Sequence, residues 1–65
     1  MTLTEIKQAV EQGKKVHWSS EIYQVVKDGF GQWFIHCQLN DHYIGLTWKN
    51  GKTMNGNEED FFIAQ

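Results

Sequence analysis

His36, Cys37 and His42 fall within one seven-residue stretch, and imidazole and thiol side chains this close are the raw material of a metal site or a thiol nucleophile. The pattern argues against both. Neighbours on a strand point to opposite faces, so His36 and Cys37 do not chelate one ion, and no second cysteine exists to complete a set. Cys37 also ends an alternating apolar row, Trp33-Ile35-Cys37, which makes it core filler rather than an activated thiolate in an electropositive setting. Glu58-Glu59-Asp60 offers paired carboxylates, but general acid–base chemistry needs two that face a cleft from differing environments. Three consecutive acids before Phe61-Phe62-Ile63 read instead as a solvated turn, or as a patch that steers a protein partner rich in Lys or Arg. No catalytic residue, metal or cofactor is assigned, and the chain is read as a non-enzyme.

The remaining chemistry is aromatic. Trp18, Trp33, Trp48, Tyr23, Tyr43 and Phe34 supply rings on which single-stranded nucleic acid could stack. The electrostatic half of such a site is weak. All six basic residues are lysines, eight acids oppose them, and the net charge is -2. Arginine, the usual fork for phosphate and guanine, is absent. The six glycines sit at turns and match no nucleotide fingerprint.

These side chains need elements to position them. Thr2 and Glu5 form a T-x-x-E capping box, with Met1 placed to staple onto Ile6. Leu3, Ile6 and Val10 share a face with Ala9 beside it, and Gly13 is a natural stop, so a helix is expected over Leu3–Gln12. The period then changes to two. Strands are expected over Val16–Trp18, Ile22–Val26, Trp33–Leu39 and Tyr43–Trp48, with Ser19-Ser20 as a turn and Asp28–Gly31 as a glycine-rich loop. A tight turn at Asn40-Asp41 would pair Cys37 with Ile44, Ile35 with Leu46 and Trp33 with Trp48. Asn50-Gly51 is a type I′ hairpin signal that would lay Lys52–Met54 along the fourth strand as a short edge. The fold class is α+β: one short N-terminal helix packed on an antiparallel meander of four to five strands. Strong coiling would bend that meander into a small, partly open barrel.

One face of this sheet, with Val16, Tyr23, Val25, Trp33, Ile35, Cys37, Ile44 and Leu46, lies under the helix. The other carries Ile22, Val26, Phe34, His36, Tyr43 and Thr47, too apolar for a surface that meets only water. Either Phe61-Phe62-Ile63 folds across it, or barrel closure hides it, or it binds something. The parity of residues 22–26 depends on the loop at Gly29–Gly31. The expected protein-interaction residues are Phe34, Tyr43, Trp48 and Phe62 as aromatic anchors, with Glu58, Glu59 and Asp60 beside them.

The size bounds the rest. Sixty-five residues make one domain, 1–65, with room for one small core and no deep cleft. A lone cysteine, no signal-like N-terminus and no apolar run of about 20 residues predict a cytoplasmic protein with no membrane span. The segments Gly13–Trp18, Tyr23–Val25, Tyr43–Thr47 and Glu58–Ile63 resemble a group of very small phage- and prophage-encoded proteins. That resemblance implies a cytoplasmic accessory protein that binds and modulates a host protein, defence components included; it transfers no functional residue. The expected function is therefore a non-enzymatic interaction module with an unidentified protein partner or a second copy of itself. A single-stranded nucleic-acid binder is the alternative.

Overall fold

The computed structural model describes residues 1–47 and 53–64. Helix α1 (Leu3–Glu11) starts and stops as the sequence dictates. The Thr2 hydroxyl accepts from the Glu5 N–H at 3.2 Å and the Glu5 carboxylate accepts from the Thr2 N–H at 2.8 Å, so the capping box is closed in both directions. At the other end Gly13 adopts φ +86°. Its N–H donates to the Val10 carbonyl and that of Lys14 to the Ala9 carbonyl, both at 3.0 Å, a Schellman motif that requires the left-handed glycine.

Five strands follow: β1 (Val16–Trp18), β2 (Ser20–Lys27), β3 (Trp33–Cys37), β4 (His42–Gly45) and β5 (Phe61–Ile63). They form one open antiparallel sheet in the order β4-β3-β2-β1-β5. The first four are a meander. A 3-10 turn over Glu58–Asp60 then feeds β5 back beside β1. Backbone bonds flank that pairing at both ends, Ser19 N–H to the Asp60 carbonyl and Ala64 N–H to the Lys15 carbonyl, each 2.9 Å. Between β1 and β2 the register jumps after His17, and Ser19 turns the corner at φ 65°.

The β3–β4 register corrects the sequence expectation. Cys37 lies opposite His42 and Ile35 opposite Ile44, two residues from the predicted pairing, and His36 faces Tyr43 rather than Gly45. A slip of two keeps every side chain on its face, so the apolar pattern could not distinguish the two registers. The turn decides. Its centre lies one residue earlier, over Gln38–Asp41, where Asp41 takes φ 60°, its N–H reaches the Cys37 carbonyl at 2.9 Å, and the Asn40 side chain accepts from the His42 N–H at 3.1 Å. Of the expected edge at Lys52–Met54, Met54 bridges Thr47. Trp48, the Asn50-Gly51 turn and Lys52 lie outside the described residues.

Phe61–Ile63 does not fold across the second face. It joins the sheet as the edge strand β5, which sends Phe61 into the core and Phe62 outward. The core contains Ile6 and Ala9 from α1 against Val16, Val25, Ile35 and Phe61 from the sheet and Leu46 just after β4. Met1, Leu3, Val10, Trp18, Tyr23, Trp33 and Met54 pack around it. Lys7 and Lys27 place their ammonium groups 5.7 and 5.4 Å from the centre of the Trp33 ring, and Lys27 also lies 3.9 Å from Glu11, which fastens the helix margin to β2 and β3. Trp18 meets Tyr23 edge-on at 5.1 Å. A Cβ on Gly56 would stand 2.7 Å from the Trp18 indole nitrogen, and Gly56 has φ +140°.

The Gly56–Trp18 contact and the helix cap can each be tested by substitution. Gly56→Ala is expected to cost about 2 kcal/mol or more, from a steric overlap and a φ that L-residues avoid, read by chemical denaturation. Thr2→Ala is expected to cost about 1 kcal/mol by the same measurement. The bonds from Thr2 also hold the Glu5 carboxyl below its ordinary range. A lowered folded-state pKa contributes stability that is present above the unfolded value and is lost as pH falls through the folded one. Glu5→Gln should therefore flatten the acid limb of a stability–pH curve below about pH 4.5 and leave its neutral shape unchanged.

Candidate functional site

Antiparallel partners share a face, so the observed registers define what stands on the side away from α1. One row crosses the whole sheet: Tyr43 on β4, His36 on β3, Gln24 on β2, His17 on β1 and Phe62 on β5. Four strand spacings separate its ends, or about 19 Å. The next row holds Phe34 and Val26 opposite Gly45. The pairing also settles the parity of β2: Tyr23 and Val25 face the helix, and Ile22, Gln24 and Val26 face away.

The row is held by specific contacts. The His36 ring stacks on Tyr43 at 4.5 Å and 17°, while His36 Nε2–H donates to the Asp41 carboxylate at 2.5 Å. Because a carboxylate accepts, the ring's proton sits on Nε2 in the neutral form, and Nδ1 is the acceptor. Phe34 meets Tyr43 edge-on at 6.0 Å. In the centre the Gln38 amide donates to the Gln24 amide oxygen at 3.0 Å. At the far end His17 lies 5.5 Å from the Phe62 ring. Its Nδ1 is 3.0 Å from the Tyr23 carbonyl, at the point where the β1–β2 register jumps, so here Nδ1 carries the proton. His17 is 5% exposed, and this bond satisfies a buried polar ring.

The sequence-predicted site residues divide into two groups. Phe34 and Tyr43 stand together at the β3–β4 edge; Tyr43 is 57% exposed and Phe34 half-buried. Phe62, 38% exposed, stands at the β5 edge two residues beyond the acidic turn. Glu58, Glu59 and Asp60 are all exposed on that turn, whose Glu58 carbonyl accepts from the Met1 amine at 2.6 Å. Trp48 lies outside the described residues. Thr47 carries the bridge to Met54, after β4 has ended at Gly45.

Sequence reasoning missed His17 and Gln24, which join the two groups. Their signal was parity, since a residue between inward Val16 and Trp18 must face out. It also passed over Phe30, 92% exposed at the tip of the β2–β3 loop. The Asp28 carboxylate holds that loop by accepting from the N–H groups of Phe30 and Gln32 at 2.9 and 2.8 Å. The corrected register places His42 opposite Cys37 on the helix side, but Cys37 is buried, without the access a nucleophile needs. Among the described residues no three His, Cys, Asp or Glu side chains converge on a metal position. No described helix is long and apolar enough to cross a membrane.

No protein-family model matches this chain, and neither a curated protein nor a solved structure matches it.

The two adjacent phenylalanines offer a direct check of the faces. Phe61→Ala empties a core position and is expected to cost about 3–5 kcal/mol. Phe62→Ala removes a partly exposed ring and should cost about 1 kcal/mol or less. Urea denaturation of the two variants compares them; equal losses would contradict the assigned faces.

Proposed function

We propose that this protein is a non-enzymatic interaction module that binds another protein through the sheet face turned away from α1. The observation that carries the reading is the row Tyr43-His36-Gln24-His17-Phe62 with Phe34 beside it, in which exposed Tyr43 and Phe62 and half-buried His36, Gln24 and Phe34 share one face around a buried His17. Aromatic side chains supply most of the binding energy at protein interfaces, and the stacking of His36 and the edge contact of Phe34 limit the motion of Tyr43 before any partner arrives. Glu58, Glu59 and Asp60 border the Phe62 end and favour a partner with lysine or arginine there. The resemblance to small phage and prophage proteins adds a setting: an accessory protein that modulates a host protein from the cytoplasm, defence components included.

A single-stranded nucleic-acid site would use the same rings. Its weakness is electrostatic, since the outward strand positions among the described residues carry no lysine or arginine.

The paired variant Phe34→Ala/Tyr43→Ala tests the reading. It should keep the helix and sheet signals by circular dichroism while weakening partner binding by about 2 kcal/mol or more, measured by calorimetry with the protein captured from a host lysate. Unchanged affinity in a folded variant would overturn the outer-face assignment. Labelled oligonucleotides titrated at low and high salt test the alternative; absence of binding at low salt removes it.

A further inference from the structure

We infer that the loop between β2 and β3 is a membrane-facing tip, which sets Phe30 into the headgroup layer of an anionic bilayer and turns the opposite end of the molecule away from it. The contact is a surface one and spans nothing. The inference is independent of the outer-face reading, because it uses a loop at one end of the strands rather than the row across them.

The loop is built to hold one ring in the open. The Asp28 carboxylate accepts from the N–H groups of Phe30 and Gln32. The backbone closes the same turn: Asp28 N–H donates to the Gln32 carbonyl at 2.9 Å, and Gly31 N–H to the Asp28 carbonyl at 3.3 Å. None of these bonds uses the Phe30 side chain, so the loop keeps its shape whatever that ring touches. The ring is 92% exposed, and a Cβ on Gly29 or Gly31 beside it would meet nothing within 4 Å. Burial of Phe30 is therefore left to a contact outside the chain.

A lone exposed ring is ordinary on a protein surface. The position of this one is not, because the charges of the described residues separate along the strands. Lys27 closes β2, directly before the loop. Counting on from the His17–Gln24 pair sets Lys15 and Lys14 level with Val26 and Lys27. Lys7 reaches the Trp33 ring at the start of β3. Two acids stand among these four lysines: Glu11, 3.9 Å from Lys27, and Asp28, whose carboxylate is taken up by the loop. Glu5, Glu21, Asp41, Glu58, Glu59 and Asp60 all lie toward the other end, where the Met1 amine meets the Glu58 carbonyl. The molecule is an electrical dipole, and Phe30 stands on its positive pole.

The occupant follows from charge complementarity and shape. An anionic surface attracts the lysine pole and repels the acidic one, so its field alone orients the molecule loop-first. Lysine acts there as a hydrated point charge and needs no paired acceptor geometry. Phe30 then enters the boundary between headgroups and acyl chains, where an aromatic ring is buried without a pocket shaped to receive it. Single-stranded nucleic acid is also anionic, but its sites stack successive bases on successive rings along a groove. Trp33 and Phe34, the next rings along the chain, are half-buried, and the Lys7 and Lys27 ammonium groups lie 5.7 and 5.4 Å from the centre of Trp33. One ring and a few lysines hold a protein on a bilayer weakly and reversibly.

Vesicle flotation of the full chain tests this. The protein should bind phosphatidylcholine vesicles that contain about 30% phosphatidylserine at about 0.1 M salt, and release them at about 0.5 M. Vesicles of phosphatidylcholine alone should bind little of it. Phe30→Ala, at a side chain outside the core, should weaken the binding about tenfold. Lys14→Glu/Lys15→Glu should weaken it at least as much, with the fold checked by circular dichroism. Leu39, 79% exposed on the turn at the acidic pole, is the control: Leu39→Ala should bind as the parent does. Absence of binding to the anionic vesicles at low salt overturns the inference. So does binding that is indifferent to Phe30→Ala or equal on neutral vesicles. A labelled oligonucleotide that binds in a Phe30-dependent way, while vesicles stay unbound, would also overturn it and give the pole to nucleic acid.

Discussion

The packing of Ile6 and Ala9 against one face of the sheet is the contact on which the rest of this molecule depends. A nine-residue helix has one apolar stripe, and here that stripe meets Val16, Val25, Ile35, Leu46 and Phe61. Burying side chains of this size contributes about 1.5–3 kcal/mol each against the entropy of ordering the chain. The helix would not persist in water at this length without the sheet. The sheet in turn has no other described layer on that face. Each element is stable because of the other, and the capping box and Schellman motif fix where the helix begins and ends relative to that contact.

The same contact leaves a geometric remainder. One short helix closes one face of a five-stranded sheet, and the strand period sends every second residue to the other side. Had β5 crossed over that second face, the molecule would have been sealed. It instead extends the sheet beside β1, where Phe61 completes the core and Phe62 adds a ring to the opposite surface. The outer row is thus a by-product of packing that has been given internal order. His17 is tied to a carbonyl at the register jump, His36 to Asp41, Gln24 to Gln38, and Phe34 and His36 brace Tyr43.

Much of this was legible in the residues. The T-x-x-E box, Gly13 and the Leu3-Ile6-Val10 stripe give the helix to within a residue at its end, because capping is local chemistry. Alternation in Trp33-Ile35-Cys37 gives the inward face of β3, and Phe34 and Tyr43 fall on the outer face as their parity requires. Registers were less accessible. Two pairings of β3 with β4 that differ by two residues place the same side chains on the same faces, and only the turn geometry around Asn40 and Asp41 distinguishes them. That difference moved His36 from a glycine partner to a tyrosine ring.

The α+β class, the helix limits and the inward faces of β3 and β4 were readable from the residues alone, since these depend on caps and periodicity within a few residues of one another. The long-range pairings of the fold were needed to place Phe61–Ile63, to fix the parity of β2 and to join Phe62 to Tyr43 through His17, Gln24 and His36. Val16 and Ile63 pair across 46 intervening residues, and no local preference encodes a contact of that span. It is selected by how much apolar surface the whole chain can bury at once.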